Sequence, residues 1–463
     1  MTDLRQFVKA YDVRGTVPDQ LNDDVARACG TAFVRVLAEE GPLTRIVVAH
    51  DMRPSSPSLA RAFAEGAAEQ GVDVVLAGLG STDMLYFAAG FLNIPGAMFT
   101  ASHNPARYNG IKMCRAAALP IGLESGLAEI RDVAQQVLDG VGPHAAPNEG
   151  VITERDLLID YARHLRGLVD LGGIRPLTVV VDAGNGMAGY TVPAVLGDQK
   201  LDALPLTIVP MYFELDGTFP NHEANPLEPK NIVDLQRKVV EVGADIGLAF
   251  DGDADRCFVV DEKGAPVSPS AVTALVATRE LAKHPGATII HNLITSSAVP
   301  EIVKEHGGAP IRTRVGHSFI KGEMARTGAV FGGEHSAHYY FKEFWGADTG
   351  MLAAMHMLAA LGEQDKALSE LTALFERYVA SGEINSTISD PAGKLVEVEA
   401  EFTRYAPTAQ TDHLDGLTVK FEDGAWVNLR PSNTEPLLRL NAEGATEARM
   451  SELRDMTLSI VRR

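Results

Sequence analysis

The chain has 463 residues, 46% hydrophobic and 22% charged, with a formal net charge of −20. That length suits about three or four domains, and that composition excludes a disordered polymer. The acidic balance excludes a general nucleic-acid binder or a protein held on anionic lipid, so any anion site has to be locally basic or built from backbone N–H groups.

Arg45–Asp51 (RIVVAHD) reads as a buried strand, Ser58–Gln70 as a helix, Val72–Gly78 as a strand and Ser81–Phe91 as a helix. Ala97–Thr100 is a short strand running into ASHNP; Tyr108–Met113 is another strand and Leu123–Asp139 a helix. The polar stretch Gly140–Gly150 reads as a linker. A second unit follows, with helix Arg155–Val169, strand Leu177–Asp182, a glycine-rich turn (AGNGMAG) into a helix, helix Asn231–Val242 and strand Asp245–Phe250. Cys257–Val260 is read as the start of a third unit, with helix Ser270–Ala282, strand Ala287–Asn292 and helices Ser296–Glu305 and Ser318–Thr327. Repeated strand–helix units predict parallel sheets. After about Leu371 the pattern becomes α+β, with strands at Glu383–Ser389, Leu417–Phe421 and Ala425–Arg430 and a terminal helix at Ala445–Val461.

Cys29, Cys114 and Cys257 cannot all pair and lack zinc spacing. The N-terminus has no apolar core of signal-peptide length, and no stretch approaches a membrane span. A cytoplasmic protein without membrane or nucleic-acid partners is the expectation.

The sharpest chemical feature is Asp251-Gly-Asp253-Ala-Asp255-Arg256. Three carboxylates at alternate positions after an apolar strand converge if the backbone stays extended, and a hard divalent cation would relieve their repulsion; a solvated acidic turn is the plain alternative, set against by the apolar runs on both sides. A calcium EF-hand is excluded, because Arg256 stands where that loop needs glycine. Thr100-Ala-Ser102-His103-Asn104-Pro105 ends a strand, where ligand chemistry collects in open α/β sheets. Ser102 is a candidate nucleophile; a polar strand-to-turn with an Asx or N-cap role is the plain alternative. In Gly333-Glu334-His335-Ser336-Ala337-His338, alternation sets an acceptor, a hydroxyl and an imidazole on one side of an extended segment, suited to sugar hydroxyls and a proton; a satisfied core or turn cluster is the plain alternative. Arg430-Pro-Ser432-Asn433-Thr434-Glu435-Pro436 makes a compact oxyanion cradle, or an ordinary turn. Arg14, in Tyr11-Asp-Val-Arg14-Gly15, and Lys112, after Tyr-Asn-Gly, are further candidate cations.

Together KAYDVRG, TASHNP with YNGIK, FDGDADR, GEHSAH and RPSNTEP, in this order and at these separations, resemble the α-D-phosphohexomutase family in its bacterial phosphomannomutase/phosphoglucomutase branch. The resemblance implies an α/β fold of four domains around a central cleft: three related mixed α/β sheet domains and a C-terminal α+β domain. The boundaries expected are 1–150 with the phosphoserine loop, 151–256 ending in the metal loop, 257–368 for sugar recognition and 369–463 for phosphate binding. It implies phosphorylated Ser102, with Asp251, Asp253, Asp255 and the Ser102 phosphate holding Mg²⁺. Arg14, His103, Lys112 and Arg256 would line the reaction centre, and His338 would move a proton. Tyr11, His317, Glu334 and Ser336 would contact the sugar; Arg430, Ser432, Asn433 and Thr434 would bind the non-reacting phosphate. The implied reaction interconverts hexose 6-phosphate and hexose 1-phosphate, on mannose and also glucose, through a hexose 1,6-bisphosphate intermediate. The partners implied are phosphosugars alone, and the assembly a monomer or homodimer. A phosphoglucosamine mutase and a metal-dependent serine phosphatase or hydrolase are the alternatives. Two departures stand out: Ala337 replaces the family's usual glycine, and no lysine lies in Asn292–Ser296 (NLITS).

Overall fold

The apolar runs of the first 270 residues become two sheets. In this computed structural model residues 3–8, 11–142, 145–432 and 437–463 are described. The chain divides into two compact units, Met1–Val267 with Ser336–Ser369, and Ser268–His335 with Glu370–Arg463.

In the first unit, strands β1 (Val13–Thr16), β2 (Arg45–His50), β3 (Asp73–Leu79), β4 (Gly96–Phe99), β5 (Tyr108–Cys114) and β6 (Ile152–Glu154) form a sheet in the order β1-β5-β4-β2-β3-β6. β4, β2, β3 and β6 run parallel, while β5 is antiparallel to β4 and β1. Helices α1 (Asp23–Glu40), α2 (Ser56–Ala68), α3 (Thr82–Leu92) and α4 (Leu127–Leu138) accompany it. The start of α1 follows from its cap: Asn22 accepts the Val25 N–H at 3.0 Å, and Asp23 and Asp24 lie at the positive end of the helix. Phe33, Phe63, Phe99, Ile46 and Val48 are buried together in its core.

The second sheet has the order β11-β10-β9-β7-β8, from β7 (Leu177–Asp182), β8 (Leu206–Met211), β9 (Ile246–Phe250), β10 (Cys257–Asp261) and β11 (Pro266–Val267). Here the structure departs from the sequence reading. Cys257–Asp261 does not open a third unit; it pairs antiparallel with β9, so the acidic loop is the turn of a hairpin. The sheets are therefore mixed rather than purely parallel. The unit is completed by an antiparallel pair, Tyr339–Phe341 with Ala347–Asp348, and the buried helix Gly350–Gly362.

In the second unit, Thr288–Asn292 lies parallel to Ala309–Thr313 on one side and Phe331–Gly333 on the other, with helices Pro269–Lys283, Ala298–Glu305 and His317–Thr327. An antiparallel sheet built on Leu417–Lys420, Trp426–Pro431 and Leu437–Gly444 packs with helices Pro391–Tyr405 and Glu447–Val461 around a core of Leu417, Val427 and Leu440 from the sheet and Phe402 from the first helix. The class is α/β, with three mixed α/β sheets and a fourth, C-terminal sheet domain. Among the described residues no helix is long and apolar enough to cross a membrane. Cys29, Cys114 and Cys257 are all buried thiols.

Candidate functional site

Ser102 stands three residues beyond β4, at the carboxyl end of a parallel strand. It is 5% exposed and holds φ +51°, a left-handed conformation that a side chain disfavours. Its N–H donates to Thr100 Oγ1 at 2.9 Å, and its Oγ donates to Asp251 Oδ2 at 2.8 Å. Contact between the serine and acidic loops is close because Gly252 has no side chain: a Cβ there would lie 2.4 Å from the Ser102 carbonyl oxygen.

The acidic loop reaches its geometry by turning, not by staying extended; Ala254 has φ +58°. Asp251, Asp253 and Asp255 are buried and bring one carboxylate oxygen each within 4.8 Å of one another. Lys112, on β5, donates to Asp253 Oδ2 at 2.8 Å and Asp255 Oδ2 at 2.6 Å. Arg256 donates from Nε to Asp251 Oδ2 at 2.9 Å and from Nη2 to His103 Nδ1 at 2.5 Å. The His103 Nδ1 also lies 3.1 Å from Ser102 Oγ. Arg14 donates to Asn104 Oδ1 at 2.7 Å and to Asp12.

Burial and charge set the protonation pattern. Burial raises the Asp251 carboxyl to about 7, against the pull of Arg256 and with added repulsion from Asp255 and Asp253. Asp253 is equally buried, but Lys112 outweighs burial and holds it far below the carboxylate range. Burial alone would lower Lys112; Asp253 and Asp255 keep it well above its ordinary value. His103 is held well below its ordinary value by burial, then by Arg256 and Arg14, which leaves its Nδ1 free to accept. The carboxylates fit a divalent cation on a direct observation: Asp253 Oδ1 and Asp255 Oδ1 are buried and accept no hydrogen bond.

His338 reaches the same loop, with Nε2 3.6 Å from Asp255 Oδ1 and Nδ1 3.0 Å from Ser336 Oγ, and forms a bridge with Arg256. The extended alternation expected from Glu334 to His338 is not what forms. Ala337 has φ +62°, so the segment turns, and Glu334 falls in the second compact unit while Ser336 and His338 fall in the first. Tyr11 is half-buried in the bend before β1.

In the second unit Glu334 is 1% exposed and accepts from Gly316 N–H at 3.0 Å and Asn292 Nδ2 at 3.2 Å. Gly316 starts the helix whose first residue is His317. Arg430, near the end of strand Trp426–Pro431, donates to Glu383 Oε2 at 3.0 Å; Arg439 lies 3.3 Å from Glu383 Oε1 and 3.5 Å from Ser432 Oγ. The Arg430 Nε is buried with no acceptor. Asn433 and Thr434 lie outside the described residues, as do Lys9 and Ala10 of the first motif.

Sequence reasoning missed several neighbours of these groups. Thr82 donates from Oγ1 to Asp253 Oδ2 at 2.6 Å and from N–H to the Asp253 carbonyl at 3.0 Å. Asp348 approaches His338 Nε2 at 3.9 Å, and Asn292 and Glu383 hold Glu334 and Arg430. Arg53 and Asp51, which follow β2, were also passed over. Their position at a strand's carboxyl end was the available signal.

A buried serine hydroxyl among carboxylates and cations, at the carboxyl end of a parallel strand, defines an enzyme built for group transfer. Comparison narrows this. Models of the phosphoglucomutase/phosphomannomutase alpha/beta/alpha domains I, II and III match residues 5–138, 160–264 and 268–378, and that of the C-terminal domain matches 383–460. The chain belongs to the phosphoglucomutase/phosphomannomutase family. It is 39% identical to a phosphomannomutase of Salmonella typhimurium over 99% of both chains. It is 40% identical to a Xanthomonas campestris protein named phosphohexose mutases, over 97% of this chain and 98% of that one. A crystal structure of a phosphoglucomutase/phosphomannomutase family protein from Burkholderia thailandensis superposes with a TM-score of 0.87 at 31% identity, covering 100% of this chain and 98% of that one.

Proposed function

We propose that this enzyme interconverts hexose 6-phosphate and hexose 1-phosphate, acting on mannose and on glucose, with Ser102 as the phosphoryl carrier. The carrying observation is the Ser102 Oγ at 2.8 Å from Asp251 Oδ2, beside a lysine and an arginine that neutralise charge. Phosphoryl transfer depends on positioning and charge neutralisation more than on covalent assistance. In the first transfer the bond from phosphorus to Ser102 Oγ breaks and one to the sugar hydroxyl forms, giving a hexose 1,6-bisphosphate. The hydroxyl proton passes to the His338 imidazole. The sugar then turns, its other phosphate returns to Ser102, and the proton is restored. Lys112 and Arg256 meet the developing charge, and Arg14 holds the serine loop through Asn104. Asp251, Asp253 and Asp255, with a Ser102 phosphate oxygen, would hold Mg²⁺, which when bound supplies further neutralisation of the phosphoryl oxygens.

Glu334 and Ser336 are assigned to the sugar O3 and O4, whose places are comparable in both orientations, so O2 goes unread and both hexoses are accepted. Tyr11 and His317 are assigned to the bound sugar, and Arg430, Ser432, Asn433 and Thr434 to the phosphate that does not react. A cytoplasmic location suits three buried thiols. The test is intact mass with turnover. Purified protein treated with glucose 1,6-bisphosphate should gain one phosphate, absent in Ser102→Ala, and should convert mannose 1-phosphate and glucose 1-phosphate to their 6-phosphates. Net release of inorganic phosphate instead would overturn the assignment, and a large mannose-over-glucose ratio in kcat/KM would overturn the dual specificity.

A further inference from the structure

The guanidinium of Arg53 has five N–H donors, and all five are used. Its Nε donates to Asp51 Oδ2 at 3.2 Å. The Nη2 donates to the carbonyls of Ser102 at 2.9 Å and Asn104 at 2.7 Å, and Nη1 to those of Pro105 at 3.1 Å and Tyr108 at 2.9 Å. Four carbonyls of one short segment thus converge on a single planar fork. The side chain is fully buried, and so is that of Asp51. Asp51 is held in turn by the Ser56 hydroxyl at 2.6 Å and the Arg53 N–H at 2.9 Å.

We propose that Arg53 is the positioning residue of the Ser102 loop, fixing the hydroxyl against the acidic triplet without touching substrate. This rests on Ser102 being the phosphoryl carrier. Three observations support it. A saturated guanidinium has no donor left for a phosphate, which separates Arg53 from Arg14, whose Nε is buried without an acceptor. The left-handed backbone of Ser102 persists only where its surroundings over-determine it. The Ser102 carbonyl is tied to Arg53 and closely approached by Gly252, so the residue is fixed by both. The fork is also covered: the Phe219 ring centre lies 5.2 Å from the Arg53 guanidinium carbon, and a Cβ on Gly217 would lie 2.6 Å from Arg53 Cα. Lysine keeps the charge but has three donors at most and no planar fork, so at least one carbonyl would lose its partner even if the bond to Asp51 were given up.

The experiment compares wild type, Arg53→Lys and Asp51→Asn as full-length proteins. Circular dichroism reports folding, steady-state kinetics report kcat and KM, and a mass-spectrometric time course with glucose 1,6-bisphosphate reports phosphorylation of Ser102. For Arg53→Lys, kcat and the phosphorylation rate should both fall about a hundredfold, the scale of a 1 Å misplacement, with KM within about twofold of wild type. Asp51→Asn keeps the fork but weakens its anchor and should lose about tenfold in kcat alone. Folded Arg53→Lys with wild-type kcat, or a loss confined to KM, overturns the proposal. If Arg53→Lys does not fold, Asp51→Asn decides: unchanged kcat overturns, reduced kcat with unchanged KM supports. A wild type that takes up no phosphate at Ser102 would refute the carrier assignment itself. A wild type and an Arg53→Lys variant that take it up equally fast refute only the positioning role.

Discussion

The two clusters of polar groups are held in different ways. Around Ser102 the cations and carboxylates largely pair with one another: Lys112 bridges two aspartates, Arg256 bridges Asp251 and His103, and Arg14 is tied to the serine loop, while Asp253 Oδ1, Asp255 Oδ1 and the Arg14 Nε stay buried without a hydrogen-bond partner. Around Arg430, among the described residues, the Glu383 carboxylate meets both Arg430 and Arg439, and the buried Arg430 Nε has no acceptor. The first arrangement is preorganised; its groups need little rearrangement when charge develops. The second has donor capacity in reserve, which suits an anion that arrives and leaves. The contrast fits the proposed division, with the chemistry at the first cluster and phosphate recognition at the second.

Removing the proposed carrier should have the largest effect. Ser102→Ala should lower kcat at least about 10⁴-fold, and turnover in a coupled assay near the wild-type rate would break the comparison at its strongest point. Next comes the approach between loops: the Cβ of Gly252→Ala must displace the Ser102 carbonyl, so kcat should fall about a hundredfold with KM nearly unchanged. Arg430→Ala should behave in the opposite sense, raising KM by about tenfold or more while kcat changes less. A loss seen mainly in kcat would place Arg430 among the reacting groups. A milder test concerns the cation. Millimolar Mg²⁺ should raise the melting temperature over that in chelator, and Asp253→Asn should shrink this rise, whereas Arg430→Ala should leave it intact.

The smallest effect is a pH dependence away from both clusters. His222 Nε2 pairs with buried Asp182 Oδ2 at 2.9 Å; burial opposes its charge, but the carboxylate outweighs it and raises the imidazole above its ordinary value. A raised folded value means that the stabilisation is complete below about pH 6.5 and is lost as pH climbs through the higher folded value. Melting curves of wild type and His222→Gln should therefore converge toward alkaline pH, by under about 1 kcal/mol in all. Curves that diverge on raising the pH would show the pair to be wrongly signed.

The sequence shows the strand–helix alternation well, because buried runs such as Ile46–Ala49 and Val179–Val181 carry their burial in plain composition. It hides helix Pro391–Tyr405, whose only fully buried side chains are Val398 and Phe402. It also misplaces Cys257–Asp261, because nothing local says whether an apolar strand after a turn closes one sheet or begins another. Of the candidate site, the motifs carrying Ser102, Lys112 and the three aspartates stood out in the sequence, and the fold brings these residues together. The loop geometry was not legible: both acidic and sugar loops turn at a left-handed alanine, Ala254 and Ala337, where periodicity predicts extension. The partners Thr82, Asn292 and Glu383 were invisible for another reason, being far in sequence from the residues they hold.

One last consequence concerns the three cysteines. All are buried, and burial pushes the Cys29 thiol up to about 12 and raises Cys257 as well. Thiolate, not thiol, reacts with maleimides and peroxides. A cysteine engineered at an exposed position such as Lys420 would therefore react far ahead of the native three. A fluorophore could be attached there to follow single turnovers without first stripping the native sulfurs from the chain.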